Sequence, residues 1–171
     1  MTLRKAFLFL AIFIAACFPR LAMAEITVSF YSHDFGSSFP HTFIVAKGTL
    51  DRGGAVDANY GFTAKSVTPA ILMGSVIGVV EAAKPNYIAS SDRQFAVTVN
   101  DSQYDAMMVL IEEWRTLPGK SYNLNKRNCI HFIGAIAERL GLKVVYDPKL
   151  MKKPKSFLVS VMALNPQLKG T

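Results

Sequence analysis

The segment from Asn125 to Leu140 contains the side chain best suited to covalent chemistry, the thiol of Cys129. Polar and basic residues precede this cysteine, and an almost wholly apolar run follows it as far as Gly141. Such a run predicts a buried helix with a glycine stop, which places Cys129 in the first turn. Free N–H groups, the helix dipole and the nearby Lys126 and Arg127 all favour a thiolate there. The pattern predicts a nucleophile with a lowered pKa, and a small core cysteine is the alternative.

A nucleophilic cysteine needs a base, and the chain has three histidines. His131 lies two residues after Cys129, roughly 200° around a helix, so we interpret it as a helix-face residue. His33 precedes a loop rich in glycine and serine, and we interpret it as a loop residue. His41 opens a predicted strand that can lie against the buried helix. It is therefore the predicted general base.

The same cysteine and histidines offer a competing use as zinc ligands. The sequence has no Cys-x-x-Cys, His-x-x-x-His or His-Glu-x-x-His spacing. It also lacks a glycine-rich phosphate loop and a Gly-x-Ser-x-Gly turn. We therefore predict neither a metal site nor a cofactor.

Residues 1–24 have the pattern of a secretory signal peptide. A basic start and a short apolar run lead to the small residues Ala22 and Ala24. The apolar run is shorter than the roughly 20 residues of a membrane span. Cleavage after Ala24 would release residues 25–171 as a periplasmic or secreted protein. The alternative is a lipoprotein, lipidated at Cys17.

Charge and length limit the classes of partner. The formal net charge is +7, and losing the three basic residues of the signal peptide would leave +4. This value suits an anionic envelope polymer or membrane surface and is too weak to indicate nucleic acid. Residues 25–171 suit one domain, expected to be monomeric, with a sizeable core. Cys129 would be its only cysteine, and an unpaired cysteine in an exported protein favours a reactive role.

The remaining pattern indicates an α+β chain. Alternating apolar residues predict strands over residues 26–31, 41–46, 55–62, 93–100 and 143–146. Helical periodicity predicts helices over residues 100–117, 129–140 and 156–164. Residues 68–80 are interpreted as a short helix or an irregular covering loop. The first three strands are close in sequence and should form an antiparallel meander.

The stretch Asn128-Cys129-Ile130-His131-Phe132 resembles the Asn-Cys-x-His-Phe nucleophile motif of the lecithin:retinol acyltransferase-like proteins. These proteins form the circularly permuted branch of the NlpC-type, papain-like superfamily, in which histidine-bearing strands precede the cysteine helix. The resemblance implies a papain-like α+β fold, with the cysteine helix packed on an antiparallel sheet. It also implies a cysteine–histidine dyad and a third polar residue on the neighbouring strand. Members usually have a second histidine there, and this chain has Asp57 and Asn59.

A hairpin centred near residue 50 would set His41 opposite Asn59, with Asp57 further from the imidazole. The expected protein is a cysteine hydrolase or acyltransferase, of the thiol protease type, that cleaves an amide or ester through a thioester. Cys129 would attack, His41 would carry the proton and Asn59 would orient the imidazole. The resemblance favours peptides of the cell wall (peptidoglycan) as substrate, with lipid acyl groups second. A non-catalytic envelope-binding module is the alternative from another class.

Overall fold

The structure, a computed structural model, describes residues 25–34, 39–168 and 170. The predicted signal peptide, its cleavage site and Cys17 lie outside the described residues. The strands are β1 (Ile26–His33), β2 (His41–Thr49), β3 (Ala55–Ala64), β4 (Gly78–Glu81) and β5 (Asp92–Val99). The helices are α1 (Ala70–Met73), α2 (Pro85–Ala89), α3 (Asp101–Arg115), α4 (Cys129–Arg139) and α5 (Pro154–Leu164), followed by a 3-10 turn (Pro166–Leu168). The predicted α+β class is confirmed.

The five strands form one antiparallel sheet in the order β4-β3-β2-β1-β5. The predicted meander of the first three strands is therefore confirmed, and β5 adds to the open edge of β1. Among the described residues, no helix is long and apolar enough to cross a membrane.

The two faces of the sheet have different neighbours. The helix face carries the even-numbered side chains of β1 and β2, and α3, α4 and α5 cover it. Its fully buried apolar members are Ile26, Val28, Phe30, Ile44 and Ala46, and the polar Ser32 and Thr42 are also buried there. The outer face carries the odd-numbered side chains of the same strands, and the ring of Tyr87 in α2 packs on Phe43 there. Every residue of β1 and β2 can be assigned to one face by this alternation.

The apolar segment after Cys129 forms α4, which ends as predicted at a glycine. Gly141 has a φ of 84°, a left-handed conformation that favours glycine. Its N–H donates to the carbonyl of Glu138 at 2.9 Å, and the N–H of Leu142 donates to the carbonyl of Ala137 at 2.9 Å. These two bonds form a Schellman motif.

The predicted strand over residues 143–146 is wrong, because this segment has no strand partner. The side chain of Asn165 instead accepts from the backbone N–H of Lys143 and donates to its carbonyl, at 2.9 and 2.8 Å. One amide thus satisfies the groups that a neighbouring strand would otherwise satisfy. Val145 is exposed, so its β-branched side chain does not indicate burial here.

The segment at residues 68–80 contains the short helix α1, as one interpretation predicted, and also β4, which the sequence did not predict. β4 pairs with the end of β3, where Gly61 lies opposite Glu81. A side chain at Gly78 would collide with the ring of Phe62, so glycine permits this close pairing. The strand therefore depends on a distant partner rather than on alternation.

Candidate active site

Asn128 caps the cysteine helix and ties it to two other segments. Its side-chain oxygen accepts from the backbone N–H groups of Ile130 and His131, at 2.9 and 3.3 Å. Its side-chain nitrogen donates to the carbonyls of Leu124 and Met151, at 2.8 and 2.7 Å. The residue is 3% exposed, so water replaces none of these bonds easily. The asparagine of the five-residue motif is thus fully used in building the start of α4.

His131 completes this cap. Its Nδ1 lies 2.9 Å from the side-chain oxygen of Asn128 and 3.3 Å from the backbone nitrogen of that residue. The tautomer decides whether Nδ1 donates to the first or accepts from the second. The ring stacks on Tyr146, and burial, with the charge of Arg127, lowers the pKa of the imidazole. Its interpretation as a helix-face histidine is confirmed.

Cys129 is the first residue of α4, as predicted, but it is buried, and the residue is only 5% exposed. Backbone N–H groups of Thr42, Ile130 and Cys129 itself hydrogen-bond to the sulfur and favour the thiolate. Burial outweighs them and raises the pKa of the thiol to about 11. The predicted lowering of this pKa is wrong. Lys126 and Arg127 are exposed, so water screens their charges.

His41 lies on the outer face at the start of β2, directly opposite His33 in the ladder. Its ring covers Gly61, where an added Cβ would come within 2.7 Å of Nε2 of His41. Desolvation lowers the pKa of the imidazole to about 4, and the charge of His33 acts in the same direction. His41 is therefore neutral at physiological pH.

The structure does not bring His41 and Cys129 together. Cys129 packs on the helix face in the same core as Ile44, whereas His41 shares the outer face with Phe43. On β2, the backbone N–H of Thr42 is the group that reaches the sulfur. Successive strand side chains point to opposite faces, so the imidazole and the thiol lie on opposite sides of β2.

Asn59 and Asp57 are also engaged elsewhere. The predicted register is wrong, because Asn59 lies opposite Val45 and Asp57 lies opposite Lys47. The side chain of Asn59 accepts from the N–H of Ala83 at 2.5 Å and donates to its carbonyl at 3.3 Å. Asp57 forms an exposed ion pair with Lys47 at 3.3 Å. Neither side chain is set to orient the imidazole of His41.

The hairpin turn explains the register error. The N–H of Leu50 donates to the carbonyl of Gly54 at 3.0 Å, so the loop closes around residue 52 rather than residue 50. Moving the centre by two residues moves each cross-strand partner by four. Asn59 therefore keeps its face but moves along β3, away from the position opposite His41.

His33 is the last residue of β1, so its interpretation as a loop residue is wrong. Its ring stacks on Tyr87 at 4.2 Å, and its Nδ1 lies 3.0 Å from the hydroxyl oxygen of Ser91. The hydroxyl of Ser91 also donates to the carbonyl of Tyr87 at 2.7 Å. The apolar–polar alternation does not extend to His33, because Ser32 is a polar residue at a core-facing position, so alternation alone did not indicate this placement.

Titration of His41 should make stability depend on pH. Its pKa is about 4 in the folded state and 6.5 as the ordinary value, so the unfolded state takes up the proton first as the pH falls. The corresponding stability is present above pH 6.5 and is lost as the pH falls through 4. Between pH 7 and pH 4, the wild type should lose about 2 to 3 kcal/mol more than His41→Gln in urea unfolding. Equal losses, or an NMR titration midpoint near the ordinary value, would contradict this assignment.

In the described part of the chain, no three His, Cys, Asp or Glu side chains cluster in a way that could hold a metal ion. Comparison with known proteins adds no assignment, since no family model, curated protein or solved structure matches the chain.

Proposed function

We propose that this protein acts by binding, as a non-catalytic module of the cell envelope with Cys129 as a buried core residue. The observation that supports this most directly is the position of His41 and Cys129 on opposite faces of β2. A thiol nucleophile needs a base within hydrogen-bond reach. With a pKa of about 11, the thiol is almost entirely protonated at neutral pH.

The envelope location is part of this proposal. It is supported by the signal-peptide pattern of residues 1–24 and by the basic net charge. After cleavage of the signal peptide, the protein is expected to be a monomeric domain of residues 25–171 in the periplasm or outside the cell. Lipidation at Cys17 is the alternative. Anionic envelope components are the partners that such a charge favours.

We also propose that the fold is related to the circularly permuted papain-like proteins. The support is the order of elements, in which an antiparallel meander precedes a helix that begins at a cysteine and packs on the sheet. The five-residue motif starting at Asn128 adds to it. In this interpretation the chain keeps the arrangement of the family without an assembled dyad.

A cysteine hydrolase or acyltransferase is the second candidate, and one observation favours it. The N–H groups of Thr42, Ile130 and Cys129 converge on the sulfur, and such donors can stabilise a thiolate or an oxyanion. The substrates would be peptide amides of the cell wall or acyl esters of lipids, cleaved through a thioester. This activity requires a rearrangement that brings the imidazole of His41 to the helix face.

Incubation of the protein with peptidoglycan and with phospholipid, analysed by mass spectrometry, distinguishes the binding module from the hydrolase or acyltransferase. We expect identical products from the wild type, from Cys129→Ser and from a blank without protein. The serine hydroxyl can accept the same backbone N–H bonds, so Cys129→Ser should remain folded. Products that form with the wild type and disappear with a folded Cys129→Ser would contradict the binding proposal and establish the hydrolase.

A further inference from the structure

An exposed apolar patch lies on the segment that follows β3. It consists of Val67, Leu72, Met73 and Ile77, whose exposed fractions are 63%, 81%, 89% and 51%. Among the described residues, ten large hydrophobic side chains are exposed, and four of them belong to this one segment. Single exposed apolar residues are common, but a local concentration marks an interaction surface.

The patch does not contribute to the core, yet its backbone is firmly held. α1 has no buried residue. Immediately after it, Val76 and Tyr122 exchange two backbone hydrogen bonds of 2.9 Å. The side chain of Asn123 donates to the hydroxyl of Ser75 at 3.1 Å. The fold therefore presents Leu72 and Met73 to solvent on a supported segment.

The charged residues that line the cleft beside the patch are both lysines. Lys65 and Lys120 line a cleft of about 630 Å³ that Met73 and Thr68 also border. The sequence has no aspartate or glutamate from residue 58 to residue 80. Exposed aliphatic side chains beside lysines match the boundary of an anionic bilayer, where acyl chains lie below phosphate groups.

We infer that the patch docks the protein on an anionic lipid bilayer. Leu72 and Met73 enter the acyl boundary, and Lys65 and Lys120 contact lipid phosphates. The inference names the partner of the binding module proposed above and rests on that proposal. Protein interfaces usually involve 20 or more residues on each side and are depleted in lysine. A patch of four apolar side chains flanked by lysines fits a lipid surface better than a second protein.

Fluorescence quenching by brominated phospholipid tests the position of the contact. Leu72→Trp places an indole on the patch, and Val109→Trp places one on α3 at a site that is 56% exposed. Both variants are full-length and keep Trp114. The fluorescence of Trp114 and any affinity of residues 1–24 for the bilayer are therefore the same in both. With vesicles that contain about one quarter phosphatidylglycerol, we expect strong quenching for Leu72→Trp and little change for Val109→Trp. Equal quenching, or none at position 72, would overturn the inference.

Co-sedimentation with the same vesicles tests the chemistry of the contact. The variants Leu72→Ser/Met73→Ser and Lys65→Gln/Lys120→Gln should each bind about tenfold more weakly than the wild type. The matched controls, Val109→Ser/Val159→Ser and Lys149→Gln/Lys152→Gln, should change binding less than about twofold. Vesicles of phosphatidylcholine alone should bind weakly.

Losses that are equal in variants and controls would overturn the inference. So would a dimer in sedimentation equilibrium that Leu72→Ser/Met73→Ser abolishes, because the patch would then bind a second copy of the chain. Different results would contradict the proposed binding function and the proposed bilayer contact. Turnover that depends on Cys129 contradicts binding without catalysis and leaves the vesicle result intact, whereas absent quenching contradicts only the bilayer contact.

Discussion

Replacing Asn128 with alanine should destabilise the protein by about 3 to 7 kcal/mol, the largest effect that we expect from a single polar side chain. The substitution removes the N-cap of α4, which contributes about 1 kcal/mol. It also leaves the carbonyls of Leu124 and Met151 without their donor in a buried position. Each unsatisfied buried group costs about 1 to 3 kcal/mol. Urea unfolding at neutral pH measures the sum.

Asn100 offers a matched control. It caps α3 with a similar capping box, but it lies on the surface, and its side chain bonds only within that cap. Asn100→Ala should therefore cost about 1 kcal/mol. Asn128→Asp keeps the cap acceptor but sets a buried carboxylate oxygen against the two carbonyl oxygens, so its loss at neutral pH should be at least as large as that of Asn128→Ala. A loss for Asn128→Ala no larger than that for Asn100→Ala would show that the buried bonds add nothing.

Alkylation of Cys129 in the folded protein should be at least about 100-fold slower than alkylation of a free thiol at neutral pH. The reactive species is the thiolate, and burial raises the pKa of this thiol to about 11. Cys129 is also buried, with 5% of the residue exposed, so the reagent reaches its thiol only after a local opening. The rate with iodoacetamide should keep rising above pH 9 without a plateau.

Unfolding in urea provides the control, because Cys129 should then react like a model thiol. Peptide mapping by mass spectrometry separates its signal from that of Cys17. A plateau below pH 8, or a rate in the folded protein above that of the model thiol, would contradict the structural role. It would favour the cysteine hydrolase, which needs an activated thiolate.

The local elements were predictable because their signals lie close together in the sequence. The bounds of α4 follow from Asn128, an apolar run and Gly141, all within one segment. α3 begins at an asparagine cap and follows the helical period. The meander of β1, β2 and β3 follows from short connections. By contrast, β4 has no local signal, and the backbone groups of Lys143 are satisfied by Asn165, a distant side chain.

The sequence by itself determined that Cys129 begins a buried helix and that His41 begins a neighbouring strand. Only the tertiary structure decided that the thiol of Cys129 and the imidazole of His41 lie on opposite faces of β2. β2 is apolar on both faces, with Phe43 and Val45 on one and Ile44 on the other, so its alternation does not tell which set meets α4. The register of β2 and β3 likewise depends on where the hairpin loop closes. Its centre lies two residues beyond the predicted one, and this shift moves each cross-strand partner by four residues. The thiol pKa depends on burial by distant elements, which outweighs the local helix dipole.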